Sequence, residues 1–215
     1  VNLELARALV AQLPESRDGF FNPWCAWHEL DDRASPDGGP EGRVLRLAHH
    51  LARRPRHILC GEAPGFAGAK TSGIAFASER QLIDGLIPGV PRLGGRLTLR
   101  EASFAEQSAT ILWRALYRLR MQDEVITWNA IQMHPHRPGQ PWTNRTPTNA
   151  ELEHGKPCLA LLCEAFPDAQ WVAIGKKAAQ LLHDAGITPA ASLRHPANGG
   201  AGDFNAGLER LTGLS

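Results

Sequence analysis

Three groups of polar residues interrupt apolar stretches of this 215-residue chain, and each could perform recognisable chemistry. The first is Gly61-Glu62-Ala63-Pro64-Gly65-Phe66, followed by Gly68, by Thr71-Ser72-Gly73-Ile74-Ala75-Phe76 and by Glu79. Its glycines allow backbone to approach a ligand closely, and Pro64 stiffens the turn. Glu62 and Glu79 are candidates for handling a water molecule, although each equally suits a helix cap or a surface carboxylate. No Gly-Lys-Ser/Thr closes the loop and no Gly-x-Gly-x-x-Gly is present, so nucleotide-loop chemistry loses support.

The second group is Asn129, then His134-Pro135-His136-Arg137-Pro138, then Asn144-Arg145-Thr146-Pro147. An Asn ending an apolar run is costly to bury unless its amide is satisfied, and its donor and acceptor match the edge of a planar imide. Satisfying loop backbone is the plainer role. His134, His136 and His154 could converge on zinc, but no helical His-Glu-x-x-His pattern supports that arrangement. The third group is Arg194-His195-Pro196-Ala197-Asn198-Gly199-Gly200. A histidine held between a strand end and a proline suits hydrogen-bond donation to charge that appears during a reaction. Lys70, Arg145, Arg194 and Lys176 or Lys177 lie near these loops. They form either a positive rim for a phosphate backbone or an ordinary solvated surface.

Secondary-structure signals place these groups. Ala6, Leu9, Val10 and Leu13 share one face of a short N-terminal helix. An aromatic stretch around Phe20 to Trp27 reads as an arm on the body, and residues 31–42 as an exposed loop. A helix is expected from Arg43 to Arg54, stopped by Pro55. Short apolar strands are expected at His57 to Cys60, Val125 to Asn129, Trp171 to Ile174 and Ala191 to Leu193. Between them, helices are expected over Ser78 to Ile87, after a Ser103-x-x-Glu106 capping box, and after Thr148-x-x-Glu151 with a break at Pro157. Further helices fall at Lys176 to Ala185 and Phe204 to Leu211, while residues 88–100 fit either a loop or a small hairpin. This alternation predicts an α/β fold with a parallel sheet covered on both faces. Polar residues then cluster past three of the four strands, where open α/β sheets place ligands.

Composition sets bounds. The length suits one α/β domain (43–215) with an N-terminal helix and arm (1–42) packed on it. The 23 basic and 22 acidic residues nearly cancel, so binding to a polyanion would have to come from a local patch. Four cysteines without a Cys-x-x-Cys argue against zinc ribbons and disulfide scaffolds. No signal pattern opens the sequence and no apolar stretch is long enough to span a membrane, so a reduced, cytoplasmic protein without membrane contact is expected.

Together, Gly61-Glu62-Ala63-Pro64-Gly65 with Ser72-Gly73-Ile74-Ala75-Phe76, Asn129, and His195-Pro196-Ala197-Asn198-Gly199-Gly200 resemble the uracil-DNA glycosylase superfamily, in family order and over most of the body. The resemblance implies a three-layer αβα sandwich around a four-stranded parallel sheet. It also implies a monofunctional N-glycosyl hydrolase that flips out uracil or a related deaminated base from DNA and starts base excision repair. By the same resemblance, Phe76 stacks on the base, Asn129 reads its edge, His195 hydrogen-bonds O2, and Ala63, Gly65 and Phe66 line the pocket. Lys70, Asn144, Arg145, Arg194, Ala197, Asn198, Gly199 and Gly200 would meet the DNA.

Two departures bear on activity. Where many relatives carry Asp or Asn, Ala63 stands, leaving Glu79 (slightly favoured) or Glu62 to position water. The loop after His195 has only small residues and no leucine wedge. Some relatives hold an iron–sulfur cluster, but the spacing of Cys25, Cys60, Cys158 and Cys163 does not match its pattern; no cofactor and no metal are expected. A nucleoid-associated monomer is the expectation, with a non-catalytic DNA-binding member and a metal-dependent hydrolase as alternatives.

Overall fold

A computed structural model describes residues 1–213. In chain order the elements begin with α1 (Leu3–Val10), β1 (Phe20–Phe21), α2 (Gly39–His50), β2 (His57–Gly61), α3 (Ala69–Ser72) and α4 (Glu79–Ile83). They continue with α5 (Gln107–Arg118), β3 (Val125–Asn129), β4 (His134–Pro135), α6 (Asn149–Glu153) and α7 (Lys156–Ala165). The chain closes with β5 (Gln170–Ile174), α8 (Lys176–Asp184), β6 (Ala191–Leu193) and α9 (Ala201–Thr212).

Four strands form one parallel sheet in the order β3-β2-β5-β6, with His57 opposite both Val125 and Gln170. Alternation along each strand divides the core. Ile58, Cys60, Ile126, Trp128, Trp171 and Ala173 face a layer built from α1, α2, α7 and α8. Leu59, Val125, Val172, Ile174 and Leu193 face the opposite layer of α4, α5 and α9, including Trp113 and Phe204. The result is the three-layer αβα sandwich, and the two-sided burial explains why the strands read as continuous apolar runs. At the β3 edge, the Thr127 amide donates to His50 Nε2 at 2.9 Å, so this backbone group is satisfied without another strand.

The N-terminal segment is tied to the body. Helix α1 packs on α2 and α7, β1 pairs antiparallel with β4, and Trp24 Nε1 donates to the Gln132 carbonyl at 3.1 Å. A division between residues 42 and 43 would therefore cut through α2. Residues 31–42 are not simply an exposed loop: Asp31 is buried in an ion pair with Arg43, and Gly39 already begins α2.

Several element boundaries differ from the sequence reading. The segment Ser78 to Ile87 is helical only to Ile83, with Ser78 and Gln81 forming its capping box. Residues 88–100 form a loop rather than a hairpin, joined to the body through an Asp31–Thr98 bridge. Ser103 caps nothing: α5 starts at Gln107 and Glu106 is itself the N-cap residue. The Thr148–Glu151 capping box and the break between α6 and α7 are present, with Pro157 in the first turn of α7.

Candidate active site

The carboxyl ends of β2, β3 and β6 surround a small slot of about 50 Å³, lined by Glu62, Ala63, Gly65, Ala69, Phe76, Glu106, Asn129 and His195. It opens beside a groove of about 500 Å³ that adds Pro64, Pro135, Asn144, Arg145, Thr146 and Asn198. Each wall follows from local structure. Asn129 is the last residue of β3 and is buried, yet its Nδ2 has no hydrogen-bond partner. An amide donor held dry and unpaired beside a slot is costly in the empty protein, and a ligand acceptor would satisfy it. Gly61 at the end of β2 keeps the slot open: a Cβ there would lie 2.6 Å from the Phe76 ring and 2.9 Å from Asn129 Oδ1.

Phe76 holds a left-handed backbone with φ of 53°, a conformation that costs a bulky side chain energy and is often found at functional sites. Its carbonyl accepts from Trp113 Nε1 at 2.8 Å, which fixes the turn. The Phe76 and His195 rings lie 6.0 Å apart at 36°. His195 Nδ1 accepts from the Ala197 amide at 3.3 Å, so the neutral ring carries its proton on Nε2. Burial lowers the His195 pKa, which keeps the ring neutral and donating rather than cationic.

Glu62, just past β2, lines both slot and groove. Burial raises its carboxyl pKa, opposed by the Lys177 charge and a hydrogen bond from Thr146. Glu79 lies elsewhere. It is fully buried at the start of α4, where Oε1 accepts from the Leu97 and Thr98 amides and from Thr98 Oγ1. Its Oε2 accepts from the Phe104 amide at 2.8 Å. A carboxylate whose lone pairs are committed to the 97–104 loop cannot position a water in the slot, which corrects the preference for Glu79. Glu79→Ala is expected to lower stability by about 3 kcal/mol or more, because it strands three buried amides. Thermal melting tests this; an unchanged midpoint with lost turnover would restore a catalytic role.

Other residues named from the sequence are also relocated. Lys70 is fully buried beneath Phe66, its Nζ 4.7 Å from that ring, so it forms no DNA-facing rim. Burial lowers its pKa to about 7. Phe66 does not line the slot: its ring packs edge-on against His28 and Phe104, while its amide donates to Asn144 Oδ1 at 2.9 Å. Arg145 borders the groove, but its guanidinium makes two bonds to the Glu151 carboxylate and one each to the Gly19 and His136 carbonyls. Arg194 stays exposed and pairs loosely with Asp203 at 3.7 Å. Asn198 borders the groove, whereas Ala197 faces the neighbouring hollow beside Lys176 and Arg194. Gly199 precedes Gly200, where any Cβ would meet the Arg194 Nε at 2.9 Å and crowd the His195 carbonyl.

The histidines considered for zinc do not converge. His134 has both ring nitrogens facing carbonyls, Pro64 at 2.8 Å and Pro141 at 3.2 Å, and His154 lies against Phe20. Among the described residues no three His, Cys, Asp or Glu side chains group as a metal site. Glu106 was missed by sequence reasoning. Ser103-x-x-Glu106 reads as a capping box, and nothing in its neighbours signals a carboxyl in a pocket.

Residues 48–208, well over half of the chain, match the family model described as the uracil DNA glycosylase superfamily. The chain belongs to that superfamily. As a superfamily member it falls among the DNA glycosylases, a class of hydrolases of DNA repair. The crystal structure of wild-type SMUG2 from Pedobacter heparinus is similar to it, with a TM-score of 0.62 at 12% identity, covering 98% of this chain and 96% of that one. At that identity the likeness shows the shared α/β fold. The crystal structure of wild-type UNG from Nitratifractor salsuginis is more distant, with a TM-score of 0.42 at 14% identity, covering 80% of this chain and 77% of that one. No curated protein sequence matches. Among the described residues, no helix of this superfamily member is long and apolar enough to cross a membrane.

Proposed function

We propose that this superfamily member hydrolyses the N-glycosidic bond of uracil, or a related deaminated base, in DNA. The observation that carries the reading is the slot itself, in which an aromatic ring, an unpaired buried amide donor and a neutral histidine donor meet. Deaminated bases are planar and present carbonyl acceptors beside a ring N–H. Phe76 supplies a face for stacking, and Asn129 supplies a donor and an acceptor for the base edge. The base must leave the duplex to enter, so mismatched or single-stranded substrates cost less to bind.

Cleavage of the C1′–N bond leaves negative charge on the base and positive charge on the sugar. His195 Nε2–H is placed to stabilise the base anion, an effect that oriented donors supply at about 3–4 kcal/mol. Glu62, ionised, stabilises the sugar cation and directs water to C1′, taking the part that Ala63 cannot play. The groove bordered by Asn144, Arg145, Thr146 and Asn198 takes the strand beside the flipped nucleotide, with Arg194 as a phosphate contact. Cys60 and Cys158 are buried in the core, where desolvation pushes both thiol pKa values upward, and they have no part in this chemistry.

Asn129→Asp tests the edge-reading role. It replaces the unpaired donor by an acceptor facing a base carbonyl, so uracil excision should fall by about tenfold to a hundredfold. The readout is kcat/KM on a uracil-containing oligonucleotide; an unchanged value would remove Asn129 from base recognition.

A further inference from the structure

Glu106 has a place in the slot that its position in the sequence does not explain. It is the N-cap residue of α5, yet its side chain makes no hydrogen bond to the free amides of that helix. The carboxyl instead borders both slot and groove. Two glycines make room for it: a Cβ at Gly68 would overlap the carboxyl, and one at Gly65 would come within 3.0 Å of Oε1. The Gly65-x-x-Gly68 spacing therefore works as a notch for a side chain from a distant helix start.

We propose that Glu106 is a second base-reading group, whose neutral carboxyl donates a hydrogen bond to a carbonyl oxygen of the extruded base. This rests on the glycosylase reading and names a further specificity residue for it. The charged and titratable groups that border the slot and groove with Glu106 are Glu62, His195 and Arg145. Arg145 is committed to Glu151, and His195 is held neutral by burial. Glu62 has Lys177 in its surroundings, a positive charge that favours its ionised form. A second negative charge in the same slot is then disfavoured, and burial raises the Glu106 pKa as well. Burial outweighs a hydrogen bond from Ser108, which favours the ionised form, so the neutral acid keeps an O–H for the slot. Deamination turns an exocyclic amino donor into a carbonyl acceptor, so a fixed O–H donor favours the deaminated base over its parent.

The test is the pH profile of uracil excision for wild type, Glu106→Gln and Glu106→Ala. Wild type should lose turnover on the alkaline side as Glu106 ionises. Glu106→Gln keeps a neutral donor without a titratable proton, so it should retain about a tenth or more of the neutral-pH rate and lack that alkaline fall. Glu106→Ala should lose about tenfold or more at every pH. Glu106→Gln as inactive as Glu106→Ala, or an alkaline fall that persists in it, would overturn the role while leaving the glycosylase reading intact. Wild type that releases no base from any lesion would instead overturn the glycosylase reading and this role with it. A carboxyl ¹³C titration, with Glu106 assigned from Glu106→Gln, reads its proton independently of turnover. A midpoint above the ordinary glutamate range supports the inference, and one at or below it overturns the inference.

Discussion

Replacing His195 by Ala should lower base excision by about a hundredfold or more while DNA affinity changes little. The expectation follows from where the ring is held. The Ala197 amide occupies Nδ1, so Nε2–H is the donor available, and burial removes the charge that would otherwise attract phosphate. Such a donor matters most when the base acquires negative charge, so the loss should appear in kcat rather than in KM. Single-turnover kinetics beside a gel-shift measurement separates the two. Equal losses in binding and cleavage would make His195 a DNA contact rather than a transition-state donor.

Glu62→Gln should be comparably damaging, by about a hundredfold or more, because an amide neither activates water nor stabilises a sugar cation. Glu62 works ionised, and its pKa is raised by burial against Lys177 and Thr146. The ionised fraction grows with pH, so activity should rise as pH climbs through this raised value and vanish below it. Glu62→Gln should leave a small residual rate without that acid limb. Combined with a Glu106 that must stay protonated, the profile becomes a bell whose two limbs belong to two carboxyls of one slot. An acid limb that survives in Glu62→Gln would assign it to another group.

What could be read from the sequence was local. Strands β2, β3 and β5 are mostly apolar runs buried on both faces, so residue type alone marks them, and the glycine-rich turn, Asn129 and His195 fall at strand ends where parallel sheets expose side chains. The misreadings all concern partners that residue type and spacing do not mark. Glu79 follows a family-like motif, but its oxygens bind a loop 18 to 25 residues onward. Lys70 and Arg145 looked like free cations; one lies under Phe66 and the other is clamped by Glu151 six residues ahead. Glu106 resembled half of a capping box because Ser103 stands three residues before it. Only the folded chain shows that Gly65 and Gly68 leave space for its carboxyl. Pairings of this kind depend on which loops meet over the sheet, and no periodicity records them.

The most direct measurement incubates the protein with single-stranded and mismatched duplex oligonucleotides carrying uracil, hypoxanthine or xanthine, and assays the released base and the alkali-labile abasic site. Hydrolysis of the glycosidic bond predicts a free deaminated base and an otherwise intact strand, with chelator present and without added metal. DNA that is bound yet releases no base from any lesion would contradict it.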